Sequence, residues 1–203
     1  MRFPDARVLI FAKAPEAGLV KTRLIPALGP QGAADLHARL LTDTLARIVP
    51  AGLAPVELWC APEPGRDPFP SLAARHGLAL HRQRGPGLGE RMRYAAADAL
   101  RRSARVVLIG TDCPRLDAEY IGRALRALTG RDAVLGPAED GGYVLLGLRR
   151  AAAALFADMP WGGARVAART RQRMEALGWA WEELPVLWDL DRPEDLRRFE
   201  DLS

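Results

Sequence analysis

Short apolar runs alternate with helix-length amphipathic segments along almost the whole chain. That alternation narrows the fold more than any other feature. Arg7–Ala12, Val56–Cys60, Leu78–His81, Ala133–Leu135, Tyr143–Leu148 and Trp181–Leu187 read as strands. Val106-Val107-Leu108-Ile109 is the least ambiguous: four consecutive apolar residues, three of them β-branched, fit a central parallel strand buried on both faces. Between the strands, Pro30 suits the first position of a helix reaching Val49, with Leu36, Leu40, Leu41, Leu45 and Ile48 along its apolar stripe. Asp67-Pro68 and Gly77 bracket a second helix, Glu90–Ser103 reads as a third, and Asp117 caps a fourth that stops at Gly130. Further helices are expected over Arg150–Phe156, over Ala164–Leu177 and after Asp191. Strands alternating with helices imply an α/β fold, a three-layer α/β/α sandwich around a mostly parallel sheet. Ligands of such sheets bind at the carboxyl ends of the strands.

Neither repeat nor linker interrupts this pattern, so residues 1–203 read as a single domain. The net charge is +4, but the arginines are scattered among acids. That suits a phosphorylated substrate and argues against nucleic acid as a partner. Cys60 and Cys113 are too few for a disulfide framework, and no His/Cys cluster suggests zinc. The start, MRFPDARVLIFA, lacks a charged segment followed by a long apolar run, so no signal peptide is predicted. No uncharged apolar stretch approaches the ~20 residues of a membrane span. A cytoplasmic enzyme is expected. The oligomeric state is not legible.

The loop after the first strand, within FAKAPEAGLVKTRL, holds the only two lysines, Lys13 and Lys21. Lysine is a compact point charge, and arginine is a planar fork for two phosphate oxygens. Lys21 and Arg23, near Ala12 and Gly18, therefore suit an anionic ligand; a solvated basic loop is the plainer alternative. Gly85-Pro86-Gly87-Leu88-Gly89-Glu90-Arg91 combines flexible backbone, a helix start and arginine, which also suits an anion or nucleotide. It matches neither a Walker sequence nor a dinucleotide fingerprint.

Asp112 follows the central strand directly, in VVLIGTDCP. It can hold a magnesium ion that bridges phosphates, or simply cap the next turn. Asp189 and Asp191, in WDLDRPEDL, form a second acidic pair after a strand. Either can complete a metal site with Asp112; Asp191 also suits a helix cap before Pro193. Asp140-Gly141-Gly142-Tyr143 is a sharp turn into a strand, fit for close approach of a ligand or for a plain hairpin. No nucleophile is convincing. Cys113 lies beside Asp112, which raises its pKa, and His37, His76 and His81 sit in helix or strand patterns away from any triad.

Taken in order, FAKAPEAGLVKTRL, LGERM, IGTDCPRL, GPAEDGGYVLLGL and DLDRPEDL resemble the radical-SAM/selenodomain-associated transferases, a GT-A-like family. The resemblance spans nearly the whole chain. That family is similar to phospholactate guanylyltransferase and molybdenum-cofactor guanylyltransferase, and shares the nucleotide-diphospho-sugar transferase fold. The resemblance implies that Ala12, Lys13, Gly18, Lys21, Arg23, Gly89, Arg91 and Asp112 hold a nucleotide. It implies that Lys21, Arg23 and Asp112 serve catalysis, and that Asp112 and Asp191 bind Mg2+ or Mn2+. Asp140, Gly141, Gly142, Tyr143 and Trp161 would face the acceptor. Two departures stand out: Arg192 where threonine is usual, and Trp161-Gly162-Gly163 where Trp-Ser-Thr is common. The second removes two hydroxyls from the expected acceptor loop.

The expected activity is nucleotidyl transfer from an NTP to a phosphorylated small molecule. Such chemistry needs positioning and charge neutralisation and no covalent nucleophile. Glycosyl transfer from a nucleotide-sugar is the alternative within the fold, and a non-catalytic nucleotide-binding accessory protein is the alternative outside catalysis.

Overall fold

The computed structural model describes residues 1–202. Seven strands form one sheet: β1 (Ala6–Lys13), β2 (Val56–Ala61), β3 (Ala79–Arg82), β4 (Arg105–Ile109), β5 (Ala133–Pro137), β6 (Tyr143–Leu148) and β7 (Trp181–Glu183). Their order is β3-β2-β1-β4-β6-β5-β7. Only β6 runs against the rest, pairing antiparallel with both β4 and β5. This is the mostly parallel sheet that the sequence pattern implies. The ends of β1, β3, β4 and β5 therefore share one edge, and the loops after them open there.

Helices cover both faces. One layer holds α1 (Ile25–Ile48), α2 (Phe69–His76) and α4 (Ala118–Ala127); the other holds α3 (Leu88–Leu100), α5 (Ala153–Phe156) and α6 (Val166–Ala176). Alternate strand residues feed the two cores, as the two-residue period of a strand requires. Val8, Ile10 and Ala12 of β1 pack under α1 and α4, and Leu9 packs under α3. A third, smaller core matters most for the site. Leu24, Leu40, Trp188 and Leu190 pack together with Leu196 and Phe199 of the last helix, α7 (Pro193–Glu200). Leu24 and Leu190 are wholly buried there. Truncating such a leucine costs about 2–5 kcal/mol, so this cluster firmly fixes the end of the first loop against the C-terminal segment.

Several element boundaries differ from the sequence pattern. α1 begins at Ile25 but is broken at Gly29 (φ 71°, ψ 168°), and its long regular part starts at Pro30. Asp67 does not cap α2; Pro68 stands at the cap with no side-chain bond, and Gly77 ends the helix as expected. α3 begins at Leu88, two residues early, and α5 is confined to Ala153–Phe156. β7 stops at Glu183, before Pro185, which has no N–H for a ladder; Leu187 then makes an isolated bridge to Ala138. Asp117 caps α4 by accepting from Tyr120 N at 2.8 Å. Asp191 does not cap α7. Asp195 does so from within, accepting from the backbone N–H groups of Asp191 (3.0 Å) and Arg192 (2.7 Å). Among the described residues, no helix is long and apolar enough to cross a membrane.

Candidate functional site

Lys21 carries a left-handed backbone (φ 47°), rare for a residue with a side chain. That turn sends its side chain inward, where it is buried. Nζ donates to the Leu190 carbonyl and lies 2.6 Å from Asp112 Oδ1. The strand after which Asp112 sits is central, and Leu190 N donates in turn to the Asp112 carbonyl at 2.8 Å. One ammonium thus joins the first loop, the end of β4 and the C-terminal segment. Arg23 pairs with Asp191 at the rim.

Asp112 has two unlike oxygens. Oδ1 is sealed against Lys21, while the side chain as a whole keeps 49% of its surface. Burial opposes the charged form, but Lys21, followed by His37 and Lys13, outweighs it and holds the carboxyl below its usual range. His37 is the residue that sequence reasoning missed. It is buried in α1, Nε2 lies 3.1 Å from the Lys13 carbonyl and Nδ1 lies 3.9 Å from Asp112 Oδ1. Facing a carbonyl, Nε2 must carry the proton. Burial lowers the His37 pKa and favours the neutral ring. Its place on the buried stripe of α1 gave no signal beyond that of a core position.

Asp189 is the other notable acid. Burial pushes its carboxyl up to about 7, and the negative charges of Asp112 and Asp140 push the same way. Asp191 has Arg23 as counter-charge; Asp189 has no ion-pair partner among the described residues. Among those residues no cluster of three or more His, Cys, Asp or Glu side chains forms a complete metal cage. A magnesium ion needs less from a protein, one or two carboxylates with phosphate oxygens and water completing the shell. The outer edge of Asp112 and the crowded Asp189 carboxyl fit that requirement.

The second group of residues lies around the turn into β6, on the same edge of the sheet. Asp140 Oδ1 accepts from Gly142 N at 2.8 Å and closes the turn between β5 and β6. Gly141 (φ 86°) is pressed against α6: its carbonyl accepts from Ala167 N at 2.9 Å, and an added Cβ would fall 2.0 Å from the Ala164 carbonyl oxygen. Tyr143 meets Trp161 edge-on, with ring centroids 6.3 Å apart. Its hydroxyl faces Met92 Sδ at 3.9 Å, and burial raises the phenol pKa. Trp161 in turn lies on the first turn of α3, where a Cβ at Gly89 would come 2.8 Å from Nε1. So Gly89, Tyr143 and Trp161 form one wall.

The remaining candidates lie along the end of β1, the loop after it, the start of α3 and the segment after β4. Ala12 is buried and offers its carbonyl to Gln83; Lys13 is exposed at the end of β1; Gly18 is exposed with φ 82°. Arg91 Nε donates to the Gly85 carbonyl at 2.9 Å. Cys113 is buried in the core, and its thiol is pushed up to about 12 by burial first and Asp189 second, not chiefly by the adjacent Asp112.

Residues 44–163, more than half the chain, match the family model described as "Uncharacterized protein conserved in bacteria (DUF2064)". The chain belongs to this family. A 3-phospho-D-glycerate guanylyltransferase of Phenylobacterium zucineum is 34% identical over 183 residues, covering 86% of this chain and 81% of that protein. A phosphoenolpyruvate guanylyltransferase of Sphaerobacter thermophilus is 32% identical over 181 residues, covering 87% and 84%. A crystal structure from Desulfovibrio desulfuricans G20, described as a nucleotide-diphospho-sugar transferase, superposes with a TM-score of 0.86 at 32% identity, over 98% of this chain and 89% of that one. The family member described here has the nucleotide-diphospho-sugar transferase fold and is a transferase.

Proposed function

We propose that this chain is a magnesium-dependent nucleotidyltransferase that joins GMP from GTP to a small phosphorylated carboxylic acid. One observation carries the reading. Lys21, Asp112 and the segment around Leu190 converge at the carboxyl edge of the sheet, the edge from which the Asp140–Tyr143 turn enters β6. The relatives named as guanylyltransferases for 3-phospho-D-glycerate and phosphoenolpyruvate supply the substrate class.

In this reading a phosphate oxygen of the acceptor attacks the α-phosphorus of GTP. The bond to the bridging oxygen breaks, and pyrophosphate leaves. Lys13, exposed at the end of β1, and Arg23 meet the phosphates. Lys21 fixes Asp112 in place. Asp112, with Asp189 or Asp191, would hold the divalent cation, magnesium or manganese, which supplies charge neutralisation at the phosphates when bound. The turn at Asp140–Gly142 and the wall of Tyr143 and Trp161 position the acceptor. Bringing the attacking oxygen within about 3–3.5 Å of phosphorus is the main task, because such transfer depends on geometry and charge.

The test is pyrophosphate release from GTP with magnesium and either 3-phosphoglycerate or phosphoenolpyruvate. Release that depends on both substrates supports the reading. Nucleoside diphosphate released from a sugar nucleotide, with no pyrophosphate from any NTP, would replace it with glycosyl transfer.

A further inference from the structure

At the carboxyl ends of β2 and β3 a pocket of about 470 Å3 opens among Ala61, Arg82, Gln83, Gly85 and Arg91. The end of β1 lies beside it, because Lys13 and Ala61 are paired in register. Gln83 forms part of the wall and is itself 9% exposed. Its backbone N–H donates to the Cys60 carbonyl at 2.9 Å. Its side-chain Nε2 donates to two main-chain carbonyls, Ala12 O at 3.1 Å and Trp59 O at 2.9 Å.

Carbonyl oxygens only accept, so the nitrogen of this amide must face them. Both of its N–H groups are then used. Turning the amide over would set its oxygen against two buried acceptors and leave both unpaired, which is costly. The side chain therefore has one orientation. Oε1 remains, with no donor among the described residues and not sealed from solvent, on a residue that lines the pocket.

We infer that Gln83 Oε1 selects the nucleobase by accepting its ring imino N–H. Guanine carries that hydrogen at N1 and uracil at N3. Adenine N1 and cytosine N3 carry a lone pair at the same edge. A freely turning glutamine would serve either class by offering oxygen or NH2. This one can offer only oxygen, so adenine N1 or cytosine N3 in the same place would meet it lone pair to lone pair, and either base would have to shift to present its exocyclic amino group instead. A site built around such a bond rejects the ligand that lacks it far more strongly than an apolar wall does. The inference rests on the nucleotidyl-transfer reading and names the class of base that reading uses. The guanine nucleotide of the named relatives satisfies it.

Calorimetric titration of the full chain with magnesium and GTP, ITP, N1-methyl-GTP or ATP tests it. ITP keeps the N1 hydrogen and lacks only the 2-amino group, so its affinity should stay within about threefold of GTP. N1-methyl-GTP and ATP should each bind at least about tenfold more weakly, the order of one lost buried hydrogen bond. Gln83→Met should lower GTP affinity to a similar degree, relieve the repulsion against ATP and so collapse the ratio between them. That variant also unpairs the carbonyls of Ala12 and Trp59, so its fold is checked by circular dichroism. The ligand series on the unaltered chain decides the matter even if the variant fails to fold. N1-methyl-GTP binding as well as GTP, or ITP binding as weakly as ATP, would overturn the filter while leaving nucleotidyl transfer intact. Absence of binding by every NTP would remove the transfer reading, and the filter with it.

Discussion

Lys21 Nζ stands 2.6 Å from Asp112 Oδ1 and also donates to the Leu190 carbonyl. These three residues belong to the first loop, the end of the central strand and the last segment of the chain. The left-handed backbone at Lys21 costs about 1–2 kcal/mol, and it persists because the buried ammonium has two partners in place.

Removing that ammonium should therefore weaken the fold as well as the site. Lys21→Met leaves a sealed carboxylate oxygen without counter-charge and a carbonyl without a donor. Breaking a wholly buried pair costs roughly 3–5 kcal/mol. Asp112 keeps half its surface, so solvent screening reduces the expected loss to about 1–3 kcal/mol. Adding Asp112→Asn should restore part of it. Urea unfolding of the wild type, both single variants and the double variant measures the coupling. Additive losses would show that the pair is not a strut.

Arg23 should behave in the opposite way. Its pair with Asp191 is exposed at the rim. Arg23→Ala should change stability by less than about 1 kcal/mol. In the proposed function it meets the nucleotide phosphates, so GTP affinity should fall by roughly 1.5–3 kcal/mol, as for a lost charged hydrogen bond. Calorimetry beside urea unfolding separates the two effects, and wild-type affinity in the variant would remove Arg23 from the phosphate site.

Much of the scaffold was legible because local rules acted alone. Val106–Ile109 had no other way to satisfy four apolar side chains than a strand covered on both faces. Pro30 marked the true start of the long helix, even though a turn from Ile25 precedes it. What escaped depends on partners far apart in sequence. His37 looked like any buried position of a helical stripe; only folding sets it beside Asp112. Gln83 showed nothing between two arginines, because its partners are main-chain carbonyls on other strands. Asp191 matched a helix cap in pattern, yet Arg192 stands at the cap position; Asp195 accepts from the backbone N–H groups of Asp191 and Arg192, and the Asp191 carboxylate pairs with Arg23.

The two cysteines should be inert in the native protein. Burial pushes both thiols up to about 12, and the thiolate is the reactive form. At pH 8 iodoacetamide should label neither Cys60 nor Cys113 until denaturant is added, when both should react fully. Mass spectrometry of the two samples checks this. Rapid native labelling of Cys113 would mean that the segment after β4 opens readily, which would undercut a rigid Asp112.

Gly141 should not tolerate even one methyl group. An alanine there would need an unfavourable positive φ and would place Cβ 2.0 Å from the Ala164 carbonyl oxygen. Relief requires moving either the turn or the start of α6. Backbone strain of this kind costs about 1–3 kcal/mol, and the clash adds to it. Gly141→Ala should lower the melting temperature and raise KM for the phosphorylated acceptor, with GTP affinity unchanged. A variant with normal KM for the acceptor would remove the turn from the acceptor half.

The wall itself can be divided between its two rings. The Tyr143 hydroxyl faces the Met92 thioether, a weak acceptor, at 3.9 Å. Tyr143→Phe should therefore change acceptor KM by less than about threefold, since little more than that contact is lost. Trp161 is different. It is held edge-on by Tyr143 and rests on the first turn of α3 at Gly89. Removing it opens the wall and unseats the start of the helix that carries Arg91. Trp161→Ala should raise acceptor KM by about tenfold or more, in line with losing a well-placed aromatic contact and the positioning it provides. GTP affinity, measured separately, should move less, because Trp161 is not itself part of the proposed base pocket, although the helix it supports carries Arg91 into that pocket. If GTP affinity collapses while acceptor KM holds, the Trp161 wall belongs to the nucleotide, and the two halves of the cleft must be exchanged.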